Sequence, residues 1–164
     1  AGTKIAHGVI IGDGVVIGED CNIKSLAVIG EPGFGFERDE AGKPIRLLHL
    51  GAVLIGDRVE VGSLTTVCCG TLVDTIIEDD AKIDDHVHVA HNCHVKKRAM
   101  VIAFGELSGG VVVGEEAWIA PNACILEQVK IGDRAFVGLG AVVIRDVEPG
   151  QTVVGNPAKS LSKR

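Results

Sequence analysis

The chain reads as an all-β protein built as a parallel solenoid of six-residue repeats. Two registered positions and a pair of interruptions predict this fold. An apolar residue returns every six positions, twelve times in succession, from Ile77 through Ile83, Val89, Val95, Val101, Leu107, Val113, Ile119, Ile125, Ile131 and Val137 to Val143. Four residues after each stands a small or β-branched one, among them Ala81, Val87, Cys93, Ala99, Gly105 and Val111. An α-helix, at about 3.6 residues per turn, would carry a hexad around its cylinder. A plain strand alternates with period two. A hexad describes a short strand and a corner, repeated, so that flat sides stack into a prism.

The same phase runs through Ile5, Ile11, Ile17, Ile23 and Ile29, and again through Ile55, Val61 and Val67. Residues 30–54 interrupt it with a Gly/Pro-rich excursion, and residues 68–76 lose step by four. Excursions in a solenoid leave at one corner and often line the binding face. Three hexads per triangular coil give the long run about four coils, stacked at the strand spacing of about 4.8 Å. The expected organisation is a β-helix domain over residues 1–150, with the excursion at 30–54, and a C-terminal turn and tail over 151–164.

Composition agrees with narrow coils. The chain is 46% hydrophobic but only 3% aromatic, with no Tyr, so its core draws on Val, Ile, Ala and Cys. Its 22 glycines suit tight corners. No run of apolar residues is long enough for a membrane span. No secretory leader is recognisable, and the lack of an initial Met points to processing or trimming. A net charge of −6 argues against a nucleic-acid partner. The basic runs Lys96-Lys97-Arg98 and Lys159, Lys163, Arg164 read first as solvated surface. Five cysteines, an odd number without framework spacing, suggest reduced thiols and a cytoplasmic location. No CxxC is present, so no zinc site is expected on them.

Four of the six histidines fall in His86-Val87-His88-Val89-Ala90-His91-Asn92-Cys93-His94. His86, His88 and His94 read as exposed side chains on successive sides of one coil. His91 differs, because one coil of eighteen residues later the same position is Gly109, followed by Gly110. Imidazole is the natural base near neutral pH. A bare backbone N–H on the next coil is a natural donor to an oxyanion.

The hexad run resembles the left-handed parallel β-helix of the hexapeptide-repeat acyltransferases, and that resemblance implies the handedness, against the usual right-handed crossover. More narrowly, Gly33-Phe34-Gly35-Phe36, the stretch Leu50 to Gly62, Thr65-Thr66, Asp74-Thr75 and Ala90-His91-Asn92 look like the UDP-3-O-acylglucosamine N-acyltransferases of lipid A (lipopolysaccharide) synthesis. In that family the histidine of Ala-His-Asn is the general base, and a glycine one coil later gives its N–H to the thioester oxyanion. The resemblance thus implies those catalytic roles for His91 and Gly109. Asn92, Asp85 and Asp74 are candidates for binding the sugar, and the two aspartates also for orienting the base. The chain departs from the family at Gln128, where a second histidine is expected, at Cys68-Cys69-Gly70 in place of Asp-Arg-Gly, and at Asp85 in place of Asn. The family's N-terminal uridine-binding domain and C-terminal helical region are missing from it.

The ending Val153-Val154-Gly155-Asn156-Pro157-Ala158-Lys159 resembles instead CoA-dependent hexapeptide acetyltransferases, including those that act on amino-sugar nucleotides. This implies Gly110, Gly155, Asn156 and Pro157 beside the CoA arm, with Lys159 on its phosphates as a point charge. The expected function is therefore N-acyl transfer, first as an N-acetyltransferase taking acetyl-CoA or another acyl-CoA to the amine of a nucleotide-linked amino sugar. The alternative is a UDP-3-O-acylglucosamine N-acyltransferase using a 3-hydroxyacyl carrier protein. The family resemblance also implies a homotrimer with the sites between prisms. From another class, a zinc γ-type carbonic anhydrase would use His86 and His91 with His49 as a third ligand. However, His86 and His91 occupy different hexad phases, and no metal is expected. A non-catalytic scaffold would need neither a histidine opposite a glycine pair nor a CoA-type turn.

Overall fold

The computed structural model describes residues 1–161; Lys163 and Arg164 of the second basic run lie outside the described residues. Most hexads form a two-residue strand and a two-residue corner. The strands stack into three sheets of nine, seven and six members, and a separate antiparallel hairpin pairs Phe36–Arg38 with Pro44–Arg46. The first flat contains Lys82–Ile83, Met100–Val101 and Trp118–Ile119; the second contains His88–Val89, Glu106–Leu107 and Cys124–Ile125; the third contains His94–Val95, Val112–Val113 and Lys130–Ile131. The result is a parallel β-helix of about eight coils.

The register makes the interruptions explicit. Lys82 pairs with Met100 and Met100 with Trp118, eighteen residues per coil. One coil lower, Glu60 pairs with Lys82 and Thr66 with His88, so this turn holds four more residues, the slip at 68–76. Below that, Asn22 pairs with Glu60 and Val28 with Thr66, so the excursion adds twenty. Both insertions leave between the second and third flats, the strand pairs being Val28–Pro32 with Val53–Ile55 and Thr66–Cys69 with Thr75–Ile77. They therefore share one corner.

The repeat's apolar phase fills the prism. Ile77, Ile83, Val89, Val95, Val101 and Leu107 are buried, interleaved with buried Ala81, Val87, Cys93 and Ala99. Three side chains per coil, close-packed against the layers above and below, leave no room for a ring. All five aromatic side chains, Phe34, Phe36, Phe104, Trp118 and Phe136, lie outside and are exposed. The first coil departs from the expected core: Ile5 (52% exposed) and Ile11 (42%) carry the core phase but have a neighbouring coil on one side only.

Each corner has its own chemistry. Between the third and first flats, Arg58, Asp80, Arg98, Glu116 and Arg134 succeed one another with alternating charge, all at positive φ. L-residues resist that conformation, and here the stacked side chains pair: Arg58 with Asp80 at 2.7 Å and Arg98 with Glu116 at 2.9 Å. The Lys96–Arg98 run belongs to this ladder, with Lys97 3.9 Å from Asp79 and Lys96 3.9 Å from Asp133. Between the first and second flats the corner mixes Leu26, Leu64 and Phe104 with polar groups, and the ring of His86 stacks on Phe104 with centroids 4.8 Å apart. The third corner carries His91.

Candidate active site

His91 and Asn92 turn the corner between the strands His88–Val89 and His94–Val95. Gly109 and Gly110 occupy the same corner one coil on. A Cβ built on Gly109 would lie 2.7 Å from Cε1 and 3.0 Å from Nε2 of His91, so the imidazole rests directly on the glycine, where no side chain fits. Gly110 N–H donates to the His91 carbonyl at 2.9 Å, closing the backbone behind the ring. Elsewhere the first N–H of a corner is often capped by a carboxylate, as Ser63 N–H is by Asp85 at 2.7 Å and Glu115 N–H by Asp133 at 2.9 Å. Among the described residues no acceptor takes the Gly109 N–H.

The orientation of the imidazole follows from the slip at 68–76. Asn92 Nδ2 donates to the Val73 carbonyl at 2.9 Å, which turns its Oδ1 toward His91 and Thr71. Thr71 Oγ1 donates to that oxygen at 2.9 Å, and His91 Nδ1 lies 2.8 Å from it. An amide oxygen only accepts, so Nδ1 carries the proton and Nε2 keeps its lone pair. Asn92 N–H in turn donates to Thr75 Oγ1 at 2.9 Å. Four residues inserted one coil below thus set the tautomer of His91.

The excursion forms the other wall. Gly33 and Gly35 are buried where side chains would collide: a Cβ on Gly33 would meet His91 Cδ2 at 3.1 Å and His49 Nε2 at 3.3 Å, and one on Gly35 would meet His49 Cε1 at 2.8 Å. The glycines of Gly-Phe-Gly-Phe therefore let the loop close onto the histidines. Phe34 and Phe36 pack together with centroids 4.8 Å apart, and Arg46 lies over Phe36. The open groove that results, about 580 Å³, is lined by Phe34, His88, His91, Asn92, Gly109, Gly110 and Gln128, with Glu106, Ser108 and Glu127 along one side.

Of the expected site residues, His91, Asn92, Gly109 and Gly110 thus come together. Asp74 and Asp85 do not line the groove. Asp74 caps Ala52 N–H at 2.7 Å. Asp85 stands at the corner between the first and second flats, where the Ser63 N–H first, and then Lys24 at 3.4 Å, hold its carboxyl below the usual carboxylate range. Gly155, Asn156, Pro157 and Lys159 sit at the end of the prism. Ala158 N–H donates to the Val142 carbonyl, three strand steps along the second flat from His88. His88, Phe34, Glu106 and Ser108 are not among the expected site residues, and His49 is expected only as the third ligand of the zinc alternative. Glu106 and Ser108 follow His88 and Ala90 by eighteen residues, and that spacing could have found them; nothing in the repeat locates Phe34 or His49.

Two chemistries fail on geometry. His94 is engaged by Glu78 at 2.6 Å, and His86 is stacked on Phe104 at another corner, so His86, His91 and His49 do not converge as metal ligands. The nearby thiols are held protonated: burial pushes Cys68 up to about 11 and Cys93 up to about 12. A thiolate nucleophile is therefore not offered beside His91.

The comparisons with known proteins bear on the prism of hexads and on the corner where His91 is seated on Gly109. The chain folds as the left-handed parallel β-helix seen in solved acyltransferase structures. Residues 110–145 match the family described as bacterial transferase hexapeptide (six repeats). It is 37% identical over 139 residues to the UDP-3-O-acylglucosamine N-acyltransferase of Herminiimonas arsenicoxydans, covering 84% of this chain and 39% of that protein. Against the enzyme of the same name from Caulobacter sp. (strain K31) it is 36% identical, covering 90% of this chain and 43% of that one. The chain thus spans about two fifths of the length of these curated relatives. Among solved structures, the UDP-N-acetylglucosamine acyltransferase of Bacteroides fragilis superposes with a TM-score of 0.85 at 22% identity, over 97% of this chain and 60% of that one. Among the described residues no helix is long and apolar enough to cross a membrane.

Proposed function

We propose that this chain carries the catalytic β-helix of an N-acyltransferase that moves an acyl group from a thioester to the amine of a nucleotide-linked amino sugar. The observation that carries the reading is the His91 ring lying on Gly109, its Nδ1 engaged by Asn92 and its Nε2 free beside an uncapped N–H. In the reaction, the amine nitrogen attacks the thioester carbonyl carbon while His91 Nε2 takes the proton that nitrogen loses. Gly109 N–H donates to the oxygen as it becomes an oxyanion. The C–S bond then breaks, the amide forms, and the imidazolium returns its proton to the departing thiolate. No covalent enzyme intermediate is needed.

The names of the curated relatives support UDP-3-O-acylglucosamine as the acceptor, and the donor that goes with that reading is the 3-hydroxyacyl carrier protein of the family resemblance. That places the acetyl-CoA reading second. It keeps one observation in its favour: the Gly155–Lys159 turn packs at the end of the second flat that lines the groove. A homotrimer belongs to the same proposal. Leu48, Leu50, Leu72 and Val73 are strongly exposed on the two insertions beside the groove, and apolar surface of that kind favours self-association.

The test compares acyl carrier protein and CoA thioesters as donors, with UDP-3-O-acylglucosamine as acceptor, in the wild type and in His91→Ala. Removal of the base should lower kcat by about 10²–10⁴-fold without altering the mass measured in solution. Turnover unchanged in His91→Ala would refute the assigned chemistry.

A further inference from the structure

His49 reaches the site from the excursion and packs edge-on against the proposed base, with ring centroids 5.3 Å apart and planes 77° from parallel. Its Nδ1 lies 3.2 Å from the Leu47 carbonyl. A carbonyl only accepts, so Nδ1 carries the proton and Nε2 is a bare acceptor. That nitrogen is buried and is the one buried side-chain nitrogen or oxygen among the described residues with no hydrogen-bond partner. Leaving such a group unpaired is unfavourable. Nε2 of His49 and Cδ2 of His91 lie 3.3 and 3.1 Å from the same point above Gly33. Both atoms thus border the space over Gly33, where the two rings meet edge to face.

We propose that His49 is a positioning residue for His91. The proposal rests on the reading of His91 as the base. Its ring fills the space into which the His91 imidazole would otherwise swing, away from Gly109. Its Nε2 lone pair faces positive charge that develops on His91 as the proton arrives from the amine, a charge a neighbouring acceptor stabilises more than it stabilises the neutral ring. Burial strengthens this because little water competes. The otherwise unexplained orphan nitrogen thus has a partner in the reacting state. The other polar groups around the base are Asn92 on its own corner, Glu106 and Ser108 on the next coil, Glu127 on the one after, and His88 on the adjoining strand; none of these abuts its ring from the excursion side.

The experiment uses the whole chain with His49→Leu and His49→Gln. Leu fills the space without an acceptor, and Gln restores an acceptor near the Nε2 position. His49→Leu should lower kcat by about 10- to 100-fold with little change in KM for either substrate, and His49→Gln should recover most of that loss. The ¹H–¹⁵N signal of the His91 Nδ1–H gives a readout that needs no turnover. It should broaden or move in His49→Leu and return toward the wild-type position in His49→Gln, with the melting temperature confirming that both variants fold. If His91→Ala is inactive while His49→Leu keeps wild-type kcat and an unmoved His91 signal, the positioning role is wrong and the base is right. If His91→Ala remains active, the base is wrong, and the His91 signal alone decides whether His49 holds that ring.

Discussion

The contact between His91 and Gly109 can be broken by a single methyl group. In Gly109→Ala the new carbon would stand 2.7 Å from His91 Cε1 and 3.0 Å from Nε2. Carbon atoms rest at about 3.5–4.0 Å, so the ring must retreat by about 1 Å. Gly109 does not occupy the left-handed region, so the substitution adds no backbone strain, and the cost falls on the ring. A ring held by a 2.8 Å bond to Asn92 cannot retreat and keep that bond straight. Misplacement of a catalytic group by about 1 Å costs about 10²-fold in rate, or about 2.7 kcal/mol of transition-state stabilisation. Release of free thiol from the acyl donor measures the rate, and thermal unfolding checks that the prism is intact. The expected result is kcat down by about two orders of magnitude with a nearly unchanged melting temperature. Wild-type kcat, or a crystal structure of the variant with the imidazole unmoved, would defeat the stacking argument. Gly110→Ala is the contrast for stability. Gly110 has φ +72° and free space at the Cβ position, the nearest atom being 3.5 Å away, so that variant should lose about 1–2 kcal/mol of stability to backbone strain.

Three further outcomes follow from particular contacts. Asn92→Ala removes the acceptor that fixes Nδ1–H and should lower kcat by about 10- to 100-fold; an unchanged rate would mean the tautomer is set elsewhere. Asp85 is held below the usual carboxylate range by the Ser63 N–H and then by Lys24. Its contribution to stability is therefore complete above the unfolded value of about 3.9 and is lost as the pH falls through the lower folded value. The gap in urea midpoint between wild type and Asp85→Asn should accordingly be widest near neutral pH and close in acid, and a gap independent of pH would remove that assignment. Among the thiols only Cys124 is exposed, whereas Cys21, Cys68, Cys69 and Cys93 are buried. Ellman's reagent should therefore titrate one thiol in the native protein and five after unfolding, and a second fast native thiol would contradict the burial.

Much of the fold could be read from the sequence because a hexad leaves few alternatives. Once three hexads close a coil, sequence separation becomes spatial contact at a fixed interval, and the four-residue slip is legible as a change of that interval from eighteen to twenty-two residues. The failure at Ile5 and Ile11 has the same root. Periodicity reports which side of the chain faces inward, whereas burial also requires a coil on each side, and the first coil has one.

The site divides along the same physical line. His91 above Gly109 obeys the coil interval, so its juxtaposition was accessible from spacing alone. Where the repeat breaks, spacing ceases to mean proximity. His49 and Phe34 arrive through a hairpin whose path depends on Gly33 and Gly35 fitting beneath the rings, a three-dimensional constraint with no periodic trace. Asn92 shows the other consequence of a break. It appeared as a residue for the sugar because it neighbours the base, yet its side chain is occupied by Val73, Thr71 and His91, two of which come from the slip. Both interruptions enter at the one corner that holds the imidazole. An uninterrupted prism would repeat the same shallow corner eight times; inserting four residues one coil below and twenty a coil further down turns a single copy into a groove with an oriented imidazole. The regular hexads therefore supply the spacing between His91 and Gly109, and the irregular ones supply the orientation and the walls that distinguish this corner from the others.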